Sequence, residues 1–227
     1  VNLRGVKESG AIFAIPTYFF VAMMISMLLY GFIQLITGNL GMVIDPPELE
    51  VLGPLVAVSP FLILHAFSSG TAALTGIEAI SDGITAFKEP RSKNAGTTLI
   101  IMAIILGSMM VGITVLAHLT GALPSEHETL ISQIARTIFD NRGVFYLGTI
   151  AATTIILVMA ANTAFADFPR LSAIAAADGY LPRQLTYRGS RLVYSKGIIL
   201  LAMVASGLII FTNASVSKLI PLYAIGV

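Results

Sequence analysis

Five long apolar runs and the start of a sixth divide the chain, with short polar stretches between them. The runs cover about 11–36, 53–87, 95–121, 143–165 and 195–212, and the sixth begins near 217. A hydrocarbon core of roughly 30 Å needs about 20 apolar residues of helix to cross it, and each complete run but the last exceeds that. The runs are too long for strands and do not alternate as barrel strands do. The pattern therefore predicts an all-α integral membrane chain.

The polar stretches carry the orientation. Residues 37–52 hold Asp45, Glu48 and Glu50 and no Lys or Arg, residues 88–94 are Lys88-Glu89-Pro90-Arg91-Ser92-Lys93-Asn94, and 122–142 is mixed. Residues 166–194 carry Arg170, Arg183, Arg188 and Arg191. If the helices alternate, 10 of the 13 basic residues (Arg4, Lys7, Lys88, Arg91, Lys93, Arg170, Arg183, Arg188, Arg191 and Lys196) fall on one side. The other side receives Arg136, Arg142 and Lys218. The positive-inside rule then places the N-terminal segment in the cytoplasm of a multi-pass inner (plasma) membrane protein. The 166–194 stretch is too long for a plain turn. Pro169 suits a first helical turn and Gly179 a stop, so a cytoplasmic surface helix is expected over about 168–178.

The second run is too long for one straight helix. Residues 51–87 would measure about 55 Å at 1.5 Å per residue, nearly twice the hydrocarbon thickness. Ser68-Ser69-Gly70-Thr71-Ala72-Ala73-Leu74-Thr75-Gly76 supplies a reason to break, because glycine weakens a helix by about 1 kcal/mol relative to alanine. Broken helices near the midplane mark solute sites in secondary transporters. Past the break, Thr71, Thr75, Glu78, Asp82 and Thr85 share one face, and Ile77, Ile80, Ile84 and Phe87 form another. A carboxylate deep in a bilayer costs at least about 2.5–3.5 kcal/mol, so it faces protein, a cation or a water path. For Asp82 the plainer reading is a solvated cytoplasmic end. Glu78, one turn deeper, reads as a cation or proton site, or as a hydrogen-bonding prop for the break. Thr71, Thr75, Glu78 and Tyr223 are the candidate binding residues, and Glu78 and Asp82 the candidates for proton coupling.

Other polar positions carry less. His65 and His118 read first as interhelical hydrogen-bonders, and Thr149, Thr153 and Thr154 as donors to their own backbone. Gly148, Ala151, Ala152, Ala160, Ala161 and Ala164 point to close helix packing. Tyr223 follows Pro221, where an irregular turn would free its hydroxyl to bind. The basic residues of 166–194 read as topology determinants and lipid-headgroup contacts.

Composition narrows the function. The chain is 56% hydrophobic and 11% charged, against about a quarter charged in soluble domains. A net charge of +1 with no basic stripe argues against nucleic acid. With no cysteine, thiolate catalysis and disulfides are excluded for these residues, and three histidines make a multi-histidine metal site unexpected. No paired catalytic aspartates and no HExxH run appear, so no enzyme activity and no cofactor is expected beyond a transported cation or proton. Val1 in place of Met, and an apolar end at Ile225-Gly226-Val227, are read as signs of a piece of a longer protein.

Several motifs then converge. Gly76-Ile77-Glu78-Ala79-Ile80 running into Lys88-Glu89-Pro90-Arg91 resembles the sixth-helix signature of the amino acid–polyamine–organocation (APC) superfamily. Asn2-Leu3-Arg4-Gly5-Val6-Lys7-Glu8-Ser9 resembles its loop before the fifth helix. The alanine-rich stretch 160–166, with Pro169-Arg170 and Asp178-Gly179-Tyr180-Leu181-Pro182, resembles the end of its eighth helix. The resemblance implies a LeuT-type fold of inverted five-helix repeats, present from the second half of repeat one onward. These residues would be helices five to ten, with helix six broken. Helix one, which supplies half of the family's site, would be missing, so this piece alone is not expected to transport.

Phe165-Ala166-Asp167-Phe168-Pro169-Arg170-Leu171 and the stretch 181–193 resemble especially the KimA-type potassium importers, which are proton-coupled and carry a cytoplasmic nucleotide-binding domain. That resemblance implies that Thr75 and Tyr223 match potassium-site positions and Glu78 a nearby acidic one. Amino acid permeases of the superfamily also carry an acidic residue in the Gly-x-Asp/Glu pattern. Proton-coupled potassium uptake by alternating access is therefore the leading function, and amino acid–cation symport with protons or sodium the alternative. The expected partners are the potassium ion or small solute, the lipid bilayer, a homodimer mate and a regulatory cytoplasmic domain beyond these residues.

Overall fold

The computed structural model describes residues 10–44, 46–47, 58–70, 80, 84, 87–125, 127–140, 143–187 and 194–226. Its regular elements among them are all helical. They are α1 (Gly10–Ile36), α2 (Pro60–Gly70), α3 (Arg91–Thr120), α4 (Leu130–Ile138), α5 (Val144–Ala177), a 3-10 turn (Arg183–Thr186), α6 (Ser195–Thr212) and α7 (Val216–Gly226). Four of these hold segments long and apolar enough to cross a membrane: Phe13–Ile36, Arg91–Thr120, Val144–Ala177 and Ser195–Thr212. Between 11% and 22% of each apolar window is buried, as expected of helices whose solvent is lipid.

The chain divides into two compact units. The first comprises Val1–Ser26 and Arg142–Ala214, the second Met27–Asn141 and Ser215–Val227, so α1 contributes its first part to one and its last part to the other.

In the first unit, α5 is the long element. The sequence separates a spanning helix ending near 165 from a surface helix over about 168–178, whereas the structure runs one helix of 34 residues with Pro169 inside it. An interior proline forfeits a backbone hydrogen bond and costs about 3 kcal/mol in an isolated helix. Packing offsets that cost here. Pro169, Ser172, Ala173 and Ala176 form a buried stripe on α5, and α5 packs on both α6 and the 3-10 turn. Gly197 of α6 approaches so closely that a Cβ there would lie 3.0 Å from Pro169 Cα. At the other end of α5, a Cβ on Gly148 would lie 2.8 Å from Met23 Cε of α1. Gly148 and Ala152 thus serve close packing, while Ala151, Ala160, Ala161 and Ala164 remain exposed.

In the second unit, Met27, Leu28, Leu116, Ile134, Ala135 and Ile138 form the core. The α3 helix starts at Arg91, four residues before its apolar run. Its first turn is polar and is held by Asn94 Nδ2 donating to the Lys88 carbonyl at 2.8 Å. It stops at Gly121, whose φ of 73° is the left-handed conformation that glycine adopts without steric cost, and whose N–H bonds the Ala117 carbonyl. The α2 helix opens with Pro60 at its first position and Ser59 Oγ accepting from the Leu62 N–H at 3.1 Å.

Candidate functional site

Thr71, Thr75, Glu78 and Asp82 lie outside the described residues. What is described is the scaffold on either side of them. The α2 helix ends at Gly70, after Ser68 and Ser69, and it packs against α7. Tyr223 sits on α7 and is 46% exposed. Pro221, also inside α7, has no N–H to give the carbonyl four residues before it. The described residues beside these candidates are thus two short helices in contact, one ending at Gly70 and the other carrying Tyr223.

The remaining polar candidates separate cleanly. Thr149 donates to Phe145 O at 2.9 Å, Thr153 to Ile150 O at 2.9 Å and Thr154 to Ile150 O at 2.8 Å. All three hydroxyls bond within α5. His65 lies beside Phe61 on α2, with ring centroids 6.3 Å apart, and His118 is exposed in the last turn of α3. Arg170, Arg183 and Lys196 are exposed, and Lys196 Nζ lies 5.7 Å from the Tyr187 ring centroid. Arg188 and Arg191 lie outside the described residues. Among the described residues no cluster of His, Asp or Glu could hold a metal ion.

The best-bonded polar cluster lies in the stretch 122–142, which the sequence presents only as a mixed loop. It folds into α4. Thr129 caps it, accepting from the Ser132 N–H at 3.2 Å. Gln133, fully buried, accepts from the Leu123 N–H at 3.0 Å and donates to the Leu123 and Glu128 carbonyls at 2.8 and 3.2 Å. Glu128 receives Ser132 Oγ at 2.8 Å and Arg136 at 3.1 Å. With the two ionic side chains about a quarter exposed, that pair contributes at most about 1 kcal/mol. Leu130, Ile131, Ile134, Ala135 and Ile138 recur at helical spacing behind the Thr129 cap, a signal present in the sequence but shorter than a membrane span.

The whole chain, residues 1–227, matches the amino acid permease family. It is also 46% identical over 228 residues to the potassium transporter KimA of Bacillus subtilis (strain 168). That match covers 100% of this chain and 37% of the relative, so the chain spans little more than a third of the length of the protein it resembles.

Proposed function

The chain belongs to the amino acid permease family, a family of transport proteins rather than enzymes, and from that premise we propose that it is part of a secondary active transporter that takes up potassium with protons by alternating access. The observation that carries this reading is the 46% identity to a potassium transporter along the full chain. At that level the residues around a solute site and the helices that hold it are expected to correspond.

In this reading the fold is of the LeuT type and these residues are helices five to ten. The N-terminal segment and the arginine-bearing stretch 166–194 face the cytoplasm of the plasma membrane. Thr71 and Thr75 offer hydroxyl oxygens at the break in the second run, and Tyr223 offers a phenol from α7. Oxygen donors from hydroxyls and backbone carbonyls replace the hydration shell of a potassium ion. Glu78 supplies the negative charge that makes dehydration of a monovalent cation tolerable, and its carboxyl can bind and release a proton between the two access states. Asp82 serves as a solvated relay toward the cytoplasmic end. A homodimer and a regulatory cytoplasmic domain complete the proposed assembly.

Amino acid–cation symport is the second reading. The family's breadth favours it, as does the acidic residue in the Gly-Ile-Glu pattern at 76–78, which amino acid permeases share. An amino acid site would use half-helix N-termini for the substrate carboxylate. Uptake of radiolabelled rubidium and of amino acids by the full-length protein separates the two. Concentrative rubidium uptake driven by a proton gradient is expected, and amino acid uptake without rubidium flux would overturn the potassium reading.

A further inference from the structure

The α4 helix and the segment just after α1 tie together two helix ends that the sequence separates widely. Gln34 of α1 donates Nε2 to the Ile138 carbonyl of α4 at 3.1 Å. Tyr30 of α1 stacks on Phe139 at 5.9 Å between centroids with an interplanar angle of 6°. A Cβ on Gly31 would lie 2.7 Å from Ile138 Cδ1 and 2.9 Å from Leu116 Cδ1 of α3, so a side chain there would push these two apart. Beyond α1, the Val43 N–H bonds the Thr120 carbonyl at the end of α3 at 2.9 Å. Met42 Cε would lie 3.3 Å from a Cβ on Gly121. Ile134, Ala135, Ile138 and Leu116 are buried to 1% exposure or less at the centre of these contacts. The last part of α1 thus meets both α3 and α4, and the segment 41–43 is bonded to the end of α3.

We infer that α4 is a fixed strap. The last part of α1, the end of α3, the segment 41–43 and α4 travel as one body through the whole transport cycle, and the solute path does not open between them. The physical reason is that separating them would break the Gln34 and Val43 hydrogen bonds together and open the apolar seam under Gly31. The inference depends on the transporter reading only for one of its readouts.

The strap can be stapled. A Cβ on Gly41 would lie 3.7 Å from Thr137 Cγ2, which is one bond beyond Thr137 Cβ, a range that includes the roughly 3.5–4.5 Å between the Cβ atoms of a disulfide. Gly41 is not among the positive-φ glycines, so it accepts a side chain without backbone strain. The test is Gly41→Cys with Thr137→Cys in the full-length protein, with any other cysteines replaced, oxidised in the membrane. The disulfide is expected to form to the same extent with potassium present or absent. Uptake in the oxidised state is expected to match the reduced state within about two-fold. Failure of the disulfide to form would overturn the inference, as would formation that depends on potassium. Loss of uptake on oxidation that reductant restores would also overturn it. The ratio is read with rubidium or with whichever amino acid the reduced protein carries. Amino acid transport alone would therefore count against the potassium reading while still testing the strap.

Discussion

Gln133→Leu isolates the polar half of this strap. The side chain is fully buried and makes three hydrogen bonds, to the Leu123 N–H, the Leu123 carbonyl and the Glu128 carbonyl. Leucine keeps most of the volume and none of the bonds. At a net value of about 1 kcal/mol for each bond, the loss approaches about 3 kcal/mol. Leu123 and Glu128 are only half-buried, so water recovers part of it, and about 2–3 kcal/mol is the expected range. That corresponds to an opening equilibrium raised about 30- to 150-fold. Hydrogen exchange over residues 122–140, measured by mass spectrometry on the full-length protein in a bilayer, reads this directly as lost amide protection. The apolar seam at Ile134 and Ile138 is untouched, so membrane insertion and the protection of α5 are expected to stay as in the wild type. A loss of protection smaller than about three-fold would refute the argument that Gln133 closes this segment. Gln133→Glu provides an internal control with a sign. Its carboxyl would face two carbonyls and be favoured in the protonated form, so its folded pKa would lie above the unfolded value near 4.3. Its stabilising contribution is therefore complete below that unfolded value and lost as pH rises through the folded one, and protection should fall with increasing pH.

Three further outcomes follow from the packing and the proposed site. Gly197→Ala is expected to lower stability by about 1–2 kcal/mol, because the new methyl meets backbone at Pro169 Cα. Gly148→Ala is expected to cost less despite the shorter 2.8 Å approach, because it meets the flexible end of Met23; thermal unfolding of the full-length protein in detergent ranks the two. Thr149→Val removes only a hydroxyl bonded to its own helix at Phe145 O, so it should cost less than about 1 kcal/mol and leave rubidium uptake unchanged. Glu78→Gln, by contrast, is expected to abolish proton-driven uptake while insertion stays normal, and uptake with an unaltered pH profile would remove Glu78 from the mechanism.

The candidate site and the fold are legible in the sequence to different depths. Thr75 and Glu78 stand out in the sequence because polar groups at helical spacing in an apolar run are expensive in lipid, and the expense itself is a signal. The Thr149, Thr153 and Thr154 hydroxyls look similar in one dimension, yet the structure turns all three onto the backbone of α5. The α4 helix is hard to see in the sequence because nine residues are too few for a spanning run and its stabilising partners are distant.

What the sequence determined by itself is the all-helical, membrane-crossing character of the chain. Runs of apolar residues must bury their own backbone hydrogen bonds wherever lipid replaces water, and that requirement is local to each run. Tertiary structure alone decided that α5 runs through Pro169, where packing on Gly197 outweighs a lost backbone bond. It also decided that a mixed loop becomes a strap, since Gln34 finds its acceptor 104 residues away. Such pairings are set by which surfaces meet, and no periodicity within one segment records its partner.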